Sequence, residues 1–403
     1  MSVEIMSNEI IRIAARGDGV TADGHHVPLS APGDRLREDG GLDLGPNHSD
    51  PLCQHFPICG GCQLQHLTDS AYAAYVRDRV VGALAGQDVM CDDVRPAIIS
   101  PPRTRRRAAL RGTRFGRHFQ LGFNGQGSHR VVDMQQCEIL HPDLFALVAP
   151  LRAMLAARLP DRRSAQVKMS CVDQGVDVLI EGLEATDLAA AEALSDFAQS
   201  HKLARLSLDN GYGPETRWEP EPLTITLGGL PVAITPYSFL QATEEGEAAL
   251  VDAVKSAIGD AKMVADLFCG LGTFALAVAD GRKVYAAEAA REPLFALKSA
   301  AGLGGKAVLT DHRDLFRRPL MAADASRFEA IILDPPRAGA EEQVRELAAS
   351  TAPVIAYVSC NPATFARDAK KLMASGYRLD WVQPVGQFRW STHVELASRF
   401  SRR

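Results

Sequence analysis

The sequence predicts an α/β protein whose C-terminal part is a doubly wound, mostly parallel sheet, preceded by an α+β region and a small N-terminal β-barrel. Three observations carry the prediction. From Met263 onward short apolar runs alternate with helical stretches. The first run leads into a glycine turn, Cys269-Gly270-Leu271-Gly272-Thr273. And Ala356-Tyr357-Val358-Ser359 delivers Cys360 to a point where a strand must stop, because Asn361-Pro362 forbids further pairing and starts a helix. Strands are expected at 263–268, 284–288, 307–310, 328–333, 353–358, 381–385 and 394–400, seven in all. In such a sheet ligands bind beyond the carboxyl ends of the strands, which is where Cys360 falls.

The chain of 403 residues is long enough for two or three domains, and its hydrophobic and charged fractions, 46% and 23%, are those of an ordinary globular protein. Residues 3–45 alternate short β-branched runs with Gly17, Gly19, Gly24 and Pro32-Gly33, the punctuation of a reduced barrel. Gly40-Gly41 and Gly45-Pro46 then read as a linker, giving an expected division into 1–46, 47–235 and 236–403. No apolar run is long enough to span a bilayer, and the N-terminus, with Glu4 and Glu9, has no basic flank of the kind a signal peptide carries. A cytoplasmic location is expected. There cysteines stay reduced, so grouped cysteines point to a metal or to catalysis.

Cys53, Cys59 and Cys62 fall close together, with Gly60-Gly61 between the last two and Cys137 far downstream. One Cys-x-x-Cys hook with two outlying cysteines is awkward for structural zinc, which usually pairs two hooks. It suits an iron–sulfur cubane, around which glycines let the backbone fold tightly, with zinc or unrelated thiols as the alternatives. Cys91 and Cys171 lack such neighbours and read as packing residues. Tyr72, Val76, Val80 and Leu84 recur at helical spacing, with Thr68 or Asp69 as cap and Gly86 as stop. Between 94 and 235 short strands dominate, at 131–134, 165–169, 175–180 and 223–227, interrupted by a helix at 186–201. The net charge of −5 does not announce a nucleic-acid binder, yet Arg103, Arg105, Arg106, Arg107, Arg111, Arg114, Arg117 and Arg130 fall in a stretch free of acids. Phe115, Phe119 and Phe123 are interleaved with them and offer surfaces on which bases can stack, while a solvated face is the plainer reading.

Gly270-Leu271-Gly272 also fits a dinucleotide (Rossmann-like) turn, with Glu288 where a ribose-binding acid would stand. Asp266 at the end of the first strand argues for S-adenosylmethionine instead, since a carboxylate there suits a sulfonium cation and repels a pyrophosphate. Asp334-Pro335-Pro336-Arg337 closes the fourth strand; its acid can shape a cofactor pocket or accept from a pyrimidine edge. His393-Val394-Glu395 opens the last strand, and with Cys360 on a neighbouring strand end Glu395 becomes a candidate base.

These motifs resemble the RNA uracil-C5 methyltransferases, and within them the iron–sulfur branch acting on 23S ribosomal RNA. The resemblance covers Cys53 to about Phe400 and rests on Cys53-x5-Cys59-Gly-Gly-Cys62 with Cys137, Asp266-Leu-Phe-Cys-Gly-Leu-Gly, Asp334-Pro-Pro-Arg-Ala-Gly, Ser359-Cys360-Asn-Pro-Ala-Thr and His393-Val-Glu395. The N-terminal β region is similar to the small RNA-binding (TRAM/OB-like) barrel of that branch, though shorter. The resemblance implies a class I S-adenosylmethionine-dependent fold with a 4Fe-4S cluster on Cys53, Cys59, Cys62 and Cys137, Cys360 as nucleophile and Glu395 as base. It further implies a cofactor pocket lined by Gln241, Phe268, Glu288 and Asp334, with Asp314 nearby. Thr273 and Thr243 stand where the family usually has asparagine, and Arg389 where it prefers proline. The chemistry implied is addition of the thiolate at uracil C6, methylation at C5, and loss of the C5 proton; the base must be flipped out or unpaired to be reached. A monomer acting on 23S rRNA is expected, with a transfer-RNA substrate, a non-enzymatic iron–sulfur RNA-binding protein, an NAD enzyme and an exocyclic-amine methyltransferase as rivals. Arg337, standing where the last of these needs a stacking aromatic, counts against it.

Overall fold

The structure, a computed structural model, describes residues 8–402. Glu4 and the first residues of the expected barrel, 3–7, lie outside the described residues. The remainder of that region forms two small sheets, Ile10–Ile13 with Gly19–Thr21 and His26–Val27, and Arg35–Leu36 with Leu42–Asp43.

The C-terminal sheet runs in the order Val308–His312, Lys283–Glu288, Met263–Leu267, Ala330–Leu333, Val354–Ser359, Glu395–Ser401, Arg378–Gly386. The first five are parallel, and Glu395–Ser401 is antiparallel to both its neighbours. These are the seven expected strands, but the sheet has eight: Ile98–Ile99, from the region before the catalytic half, pairs in parallel with Val385 and Gly386. Two residues of apolar sequence give no period to read, so only the pairing reveals this strand.

Both faces of the sheet are covered, as a buried parallel sheet requires. Along Val354–Ser359, Ile355 and Tyr357 join one core and Ala356 and Val358 the other. The first core is completed by helix Asp69–Ala85, whose Tyr72, Tyr75, Val76, Val80 and Leu84 are buried against it. That helix starts where the sequence indicates: the Thr68 hydroxyl accepts from the Ala71 amide at 3.3 Å, and Gly86 ends it. Helix Pro362–Ala374 is started by Asn361, whose carboxamide oxygen accepts from the Ala363 amide at 3.1 Å, with Pro362 at its first position.

The middle region is a six-stranded sheet, Glu215–Trp218, Arg205–Asp209, Gly175–Glu181, Ser164–Val172, Arg107–Phe115, His118–Gly122. One face carries Ala108, Leu110, Val167, Met169, Val178 and Ile180 into a core with helices Val148–Arg158 and Leu188–Ser200. The strand expected at 131–134 is not one: Val131 makes a single bridge to Asn124 and the rest is loop. Helices Pro142–Ala146, Val148–Arg158 and Glu244–Ile258 were not anticipated. The last had a legible start, with Thr243 as cap and Glu244, Glu245 and Glu247 in the first turn. Among the described residues no helix is long and apolar enough to cross a membrane.

Candidate active site

The site is assembled by strand register. Val358 faces Ala397 and Ser359 faces Leu396, so the next antiparallel rung places Cys360 beside Glu395. Both side chains line one cavity of about 240 Å³, together with Gln241, Arg337, Gln387 and His393. That is below the usual range for drug-sized clefts, about 300–1,000 Å³, and suits a single flat ring.

Burial sets the electrostatics. Glu395 is 7% exposed, and its carboxyl is pushed up to about 8 by desolvation and then by Asp334, while the Gln387 amide pulls it down. Desolvation also lifts Asp334 to about 7. Cys360 is raised to about 11 by burial first, then by the negative charge of Glu395 and Asp334, with Arg337 acting in the opposite direction. A thiol held that far up is poorly ionised at neutral pH.

The remaining expected cofactor residues lie along the strand ends beside the cavity. Asp266 is wholly buried and neither carboxylate oxygen has a hydrogen-bond partner; burial and then the charge of Asp334 hold it well above the usual range. An orphaned acid at this depth fits a cationic ligand above the glycine turn. Glu288 accepts from the amides of Gly270 (3.1 Å), Ala289 (2.7 Å) and Ala290 (2.8 Å), which fixes its carboxylate against that turn. Gly272 is required: φ is +90°, and a β-carbon there would meet Leu297 at 2.4 Å. Phe268 is held at φ 64°, a strained value for an aromatic residue, and its ring meets Phe316 at 5.4 Å between centroids. Asp314 accepts from the Phe316 amide at 3.0 Å, in the loop after strand Val308–His312.

Two of the three departures from the resembled pattern, Thr243 and Arg389, find local explanations. Thr243 is buried and caps helix Glu244–Ile258, its hydroxyl accepting from the Gly246 amide at 3.0 Å and meeting Ser100 at 2.7 Å. Thr273 is the first residue of helix Thr273–Val278. Arg389 donates to the Ser100 carbonyl at 3.1 Å and pairs with Asp69, so it ties the loop down instead of covering the cavity.

The sequence reading missed Gln387. Only 2% exposed, it donates to Gln241 Oε1 at 2.8 Å and accepts from the Ala242 amide at 2.9 Å, and its amide also bears on Glu395. The candidate base and a candidate cofactor residue are thereby linked through one carboxamide. Gly246 makes room for it, since a β-carbon there would meet Gln387 Cβ at 2.5 Å. No local pattern marks Gln387; only its place past the strand Arg378–Gly386 does.

The arginine run does not form one surface. Arg106 is buried, paired with Glu247 at 2.5 Å and donating to the Gln241 carbonyl at 3.0 Å. Arg107 donates to the Leu240 carbonyl at 3.0 Å and lies over Tyr237 and Phe239. Arg105 sits between the rings of Phe123 and Phe388, 5.9 and 5.5 Å from their centroids. Arg114 donates to the carbonyls of Ala156 and Leu159, and Arg103 pairs with Glu138. Of the three phenylalanines interleaved with the run, Phe115 is exposed, and Phe119 and Phe123 pack on the middle core.

Cys53, Cys59, Cys62 and Cys137 come together as the walls of one mostly apolar cavity, with Phe56, Phe123 and Ile139. Among the described residues no group of three potential ligands is close enough to hold a single metal ion. Immediately after Cys62, the Gln63 and Leu64 amides both donate to the Trp390 carbonyl, at 2.8 and 2.9 Å. Trp390 itself packs on Cys62 and Ile139, so the cysteine loop is fastened to the loop leading into Glu395. Cys91 and Cys171 pack at the edges of two cores, as expected.

Residues 237–403 match the family described as tRNA (Uracil-5-)-methyltransferase. An uncharacterized RNA methyltransferase of Zymomonas mobilis is 50% identical over 394 residues, 98% of this chain and 99% of the relative. A 23S rRNA (uracil(1939)-C(5))-methyltransferase of Halomonas elongata is 31% identical, covering 86% of this chain and 75% of its own. In fold, the chain is similar to the Pyrococcus abyssi tRNA (uracil-54, C5)-methyltransferase in complex with S-adenosyl-L-homocysteine, with a TM-score of 0.73 at 22% identity over 98% of this chain and all of that one. The chain belongs to the RNA uracil-C5 methyltransferases and is an S-adenosylmethionine-dependent enzyme of that family.

Proposed function

We propose that the enzyme methylates C5 of one uridine in 23S ribosomal RNA, with Cys360 as nucleophile and Glu395 as base. The observation that carries this reading is the pairing of the two side chains across adjacent strand ends in one ring-sized cavity. Cys360 Sγ adds to C6 of the flipped uracil, its proton passing to solvent as the carbon–sulfur bond forms, and the electron pair of the C5–C6 double bond moves toward C5 and O4. Gln241, Phe268, Glu288 and Asp334, with Asp266 beneath, would hold S-adenosylmethionine, whose sulfonium would give its methyl group to C5 and leave as the neutral thioether S-adenosylhomocysteine. Glu395, raised to about 8, then takes the C5 proton, and the returning electron pair expels Cys360 as 5-methyluridine forms. Arg337 and Arg105 line or border the cavity and favour the enolate that precedes methylation.

The substrate assignment leans on the Halomonas relative, and comparing 5-methyluridine maps of ribosomal and transfer RNA from a deletion strain and its parent tests it. A missing site in 23S rRNA is expected; a missing site only in transfer RNA would overturn it. RNA carrying 5-fluorouridine tests the chemistry, because fluorine at C5 cannot leave as a proton and the adduct persists. Wild-type protein should become covalently bound and Cys360→Ser should not.

We also infer that Cys53, Cys59, Cys62 and Cys137 hold a 4Fe-4S cluster whose duty is structural. Anaerobically purified protein should contain iron and acid-labile sulfide, both lost in Cys62→Ser. The division into a barrel-like 1–46, an RNA-binding 47–235 and a catalytic 236–403, a monomeric state and a cytoplasmic location complete the reading.

A further inference from the structure

We infer that the outer face of strand Arg107–Phe115 is a track for the unpaired RNA next to the target uridine, leading from the catalytic cavity to a separate basic groove. The inference rests on the RNA substrate proposed above and specifies where that RNA lies.

Alternation in a strand puts every second residue on one face. Here the even face, with Ala108 and Leu110, is in the middle core, and the odd face is left partly open. Along it come Arg107, Ala109, Arg111, Thr113 and Phe115, with Arg105 just before the strand. Arg105 and Arg107 line the catalytic cavity, whereas Arg111, Thr113 and Phe115 line a second groove of about 1,130 Å³. At about 3.3 Å per residue the strand carries this face roughly 26 Å from Arg107 to Phe115. The opposite wall of the groove is the loop after Phe123, which brings His129 and Arg130. That loop is pinned to the cysteine loop, where the Gly60 amide donates to the Asn124 carbonyl and the Gln126 amide to the Ile58 carbonyl, at 2.9 and 3.0 Å.

Charge favours an anionic strand. The one acid lining the groove, Asp133, is occupied, accepting from Arg152 Nε at 2.9 Å and from the Leu121 amide at 3.0 Å. Further along the same face, Glu181 is paired with Lys168. Neither the Arg111 nor the Arg130 guanidinium has a carboxylate partner among the described residues, in contrast to Arg103 and Arg106. Phe115 is 59% exposed at the far end, a flat ring where a base can stack. Arginines on both walls with an aromatic at the end are the components of a sequence-tolerant single-strand groove, and they lie outside the catalytic cavity.

The test is fluorescence anisotropy with a labelled oligouridylate of about 12 nucleotides, within the roughly 4–16 that such grooves cover. Wild type, Arg111→Ala/Arg130→Ala, the corresponding double lysine variant, Arg130→Gln alone and Phe115→Ala are compared across a salt series. The double alanine variant should bind at least tenfold more weakly, with a log–log salt slope shallower by about 1.4, since each phosphate contact to a single strand contributes about 0.7. The lysine variant should keep the wild-type slope. Arg130→Gln should show about half the change, and guards against a folding defect in the double variant. Phe115→Ala should weaken binding without changing the slope. Unchanged affinity and slope in the double alanine variant, or weakening with no change of slope, overturns the track and leaves the groove to an acidic protein partner or to solvent. Methylation of RNA from a deletion strain separates the two readings: the double variant should raise KM and keep kcat, whereas wild-type protein that methylates no RNA would sink the proposed reaction and leave the binding result standing.

Discussion

Replacing Glu395 by glutamine should make the protein more stable, and only at high pH. Glu395 is buried beside Asp334, and its carboxyl stands at about 8 against 4.5 in the unfolded chain. A folded-state pKa above the unfolded one means that folding favours the protonated form. Its contribution is therefore complete below about 4.5 and is lost as pH climbs through about 8. The gap of about 3.5 units, at 1.36 kcal/mol each, sets a ceiling near 5 kcal/mol for what ionising this one group takes from stability. Relaxation and water entry reduce that figure, so about 2–4 kcal/mol is expected. Glutamine has nearly the same shape, can still meet Gln387, and never ionises. Melting temperatures of Glu395→Gln and wild type should coincide near pH 5 and separate in favour of the variant by pH 9, most of the change falling between 5 and 8. Differential scanning calorimetry across that range is the assay. A constant offset at every pH, or a variant that is less stable at pH 9, would show that the carboxyl is not held in a desolvated setting and would remove the basis for treating it as a poised base.

The same variant should accumulate a covalent complex with ordinary uridine-containing RNA, visible on denaturing gels, because the methylated adduct has lost its route to expel the C5 proton. Cys360, at about 11 against an ordinary 9.0, should be alkylated by iodoacetamide about a hundredfold more slowly than a free thiol at pH 8, and faster in Glu395→Gln than in wild type, as followed by peptide mass spectrometry. Gln387→Ala leaves Gln241 Oε1 and the Ala242 amide without their partner, and at about 1–3 kcal/mol for each unsatisfied group it should lower the melting temperature and weaken S-adenosylmethionine binding about tenfold by calorimetry. Arg106→Ala strands the half-buried Glu247 and should cost about 3 kcal/mol in denaturant titrations, with no change in the salt dependence of RNA binding.

The parts of the fold that follow a period were legible. The seven strands from Met263 onward, the cap at Thr68 and the helix begun by Asn361-Pro362 all announce themselves through alternation or breaker chemistry. Ile98–Ile99 could not be read, because a two-residue edge strand is defined by its partner, Val385-Gly386. Cys360 and Glu395 were each visible as chemistry at a strand end, and register then supplied their adjacency. The arginine run misled for the opposite reason. Charge in sequence says nothing of which side chain is turned inward, so Arg106 and Arg114, spent on internal partners, looked the same as Arg111. Gln387 escaped notice because a lone glutamine carries no signal until its neighbours are known.

The helix Asp69–Ala85 and the strand Ile98–Ile99 are built into a sheet whose matching strand, Arg378–Gly386, leaves the ribosome nearly three hundred residues later. Throughout synthesis Tyr72, Val76 and Val80 thus present an oily stripe with nothing native to close over it. Such a chain matures by late docking of its beginning onto its end, and its yield in a cell should depend on holdase chaperones more than its size suggests. By the same logic the catalytic half cannot be lifted out as a portable module: expressed alone it would lack the wall that those aromatic and aliphatic side chains provide, and it should be recovered mainly as aggregate.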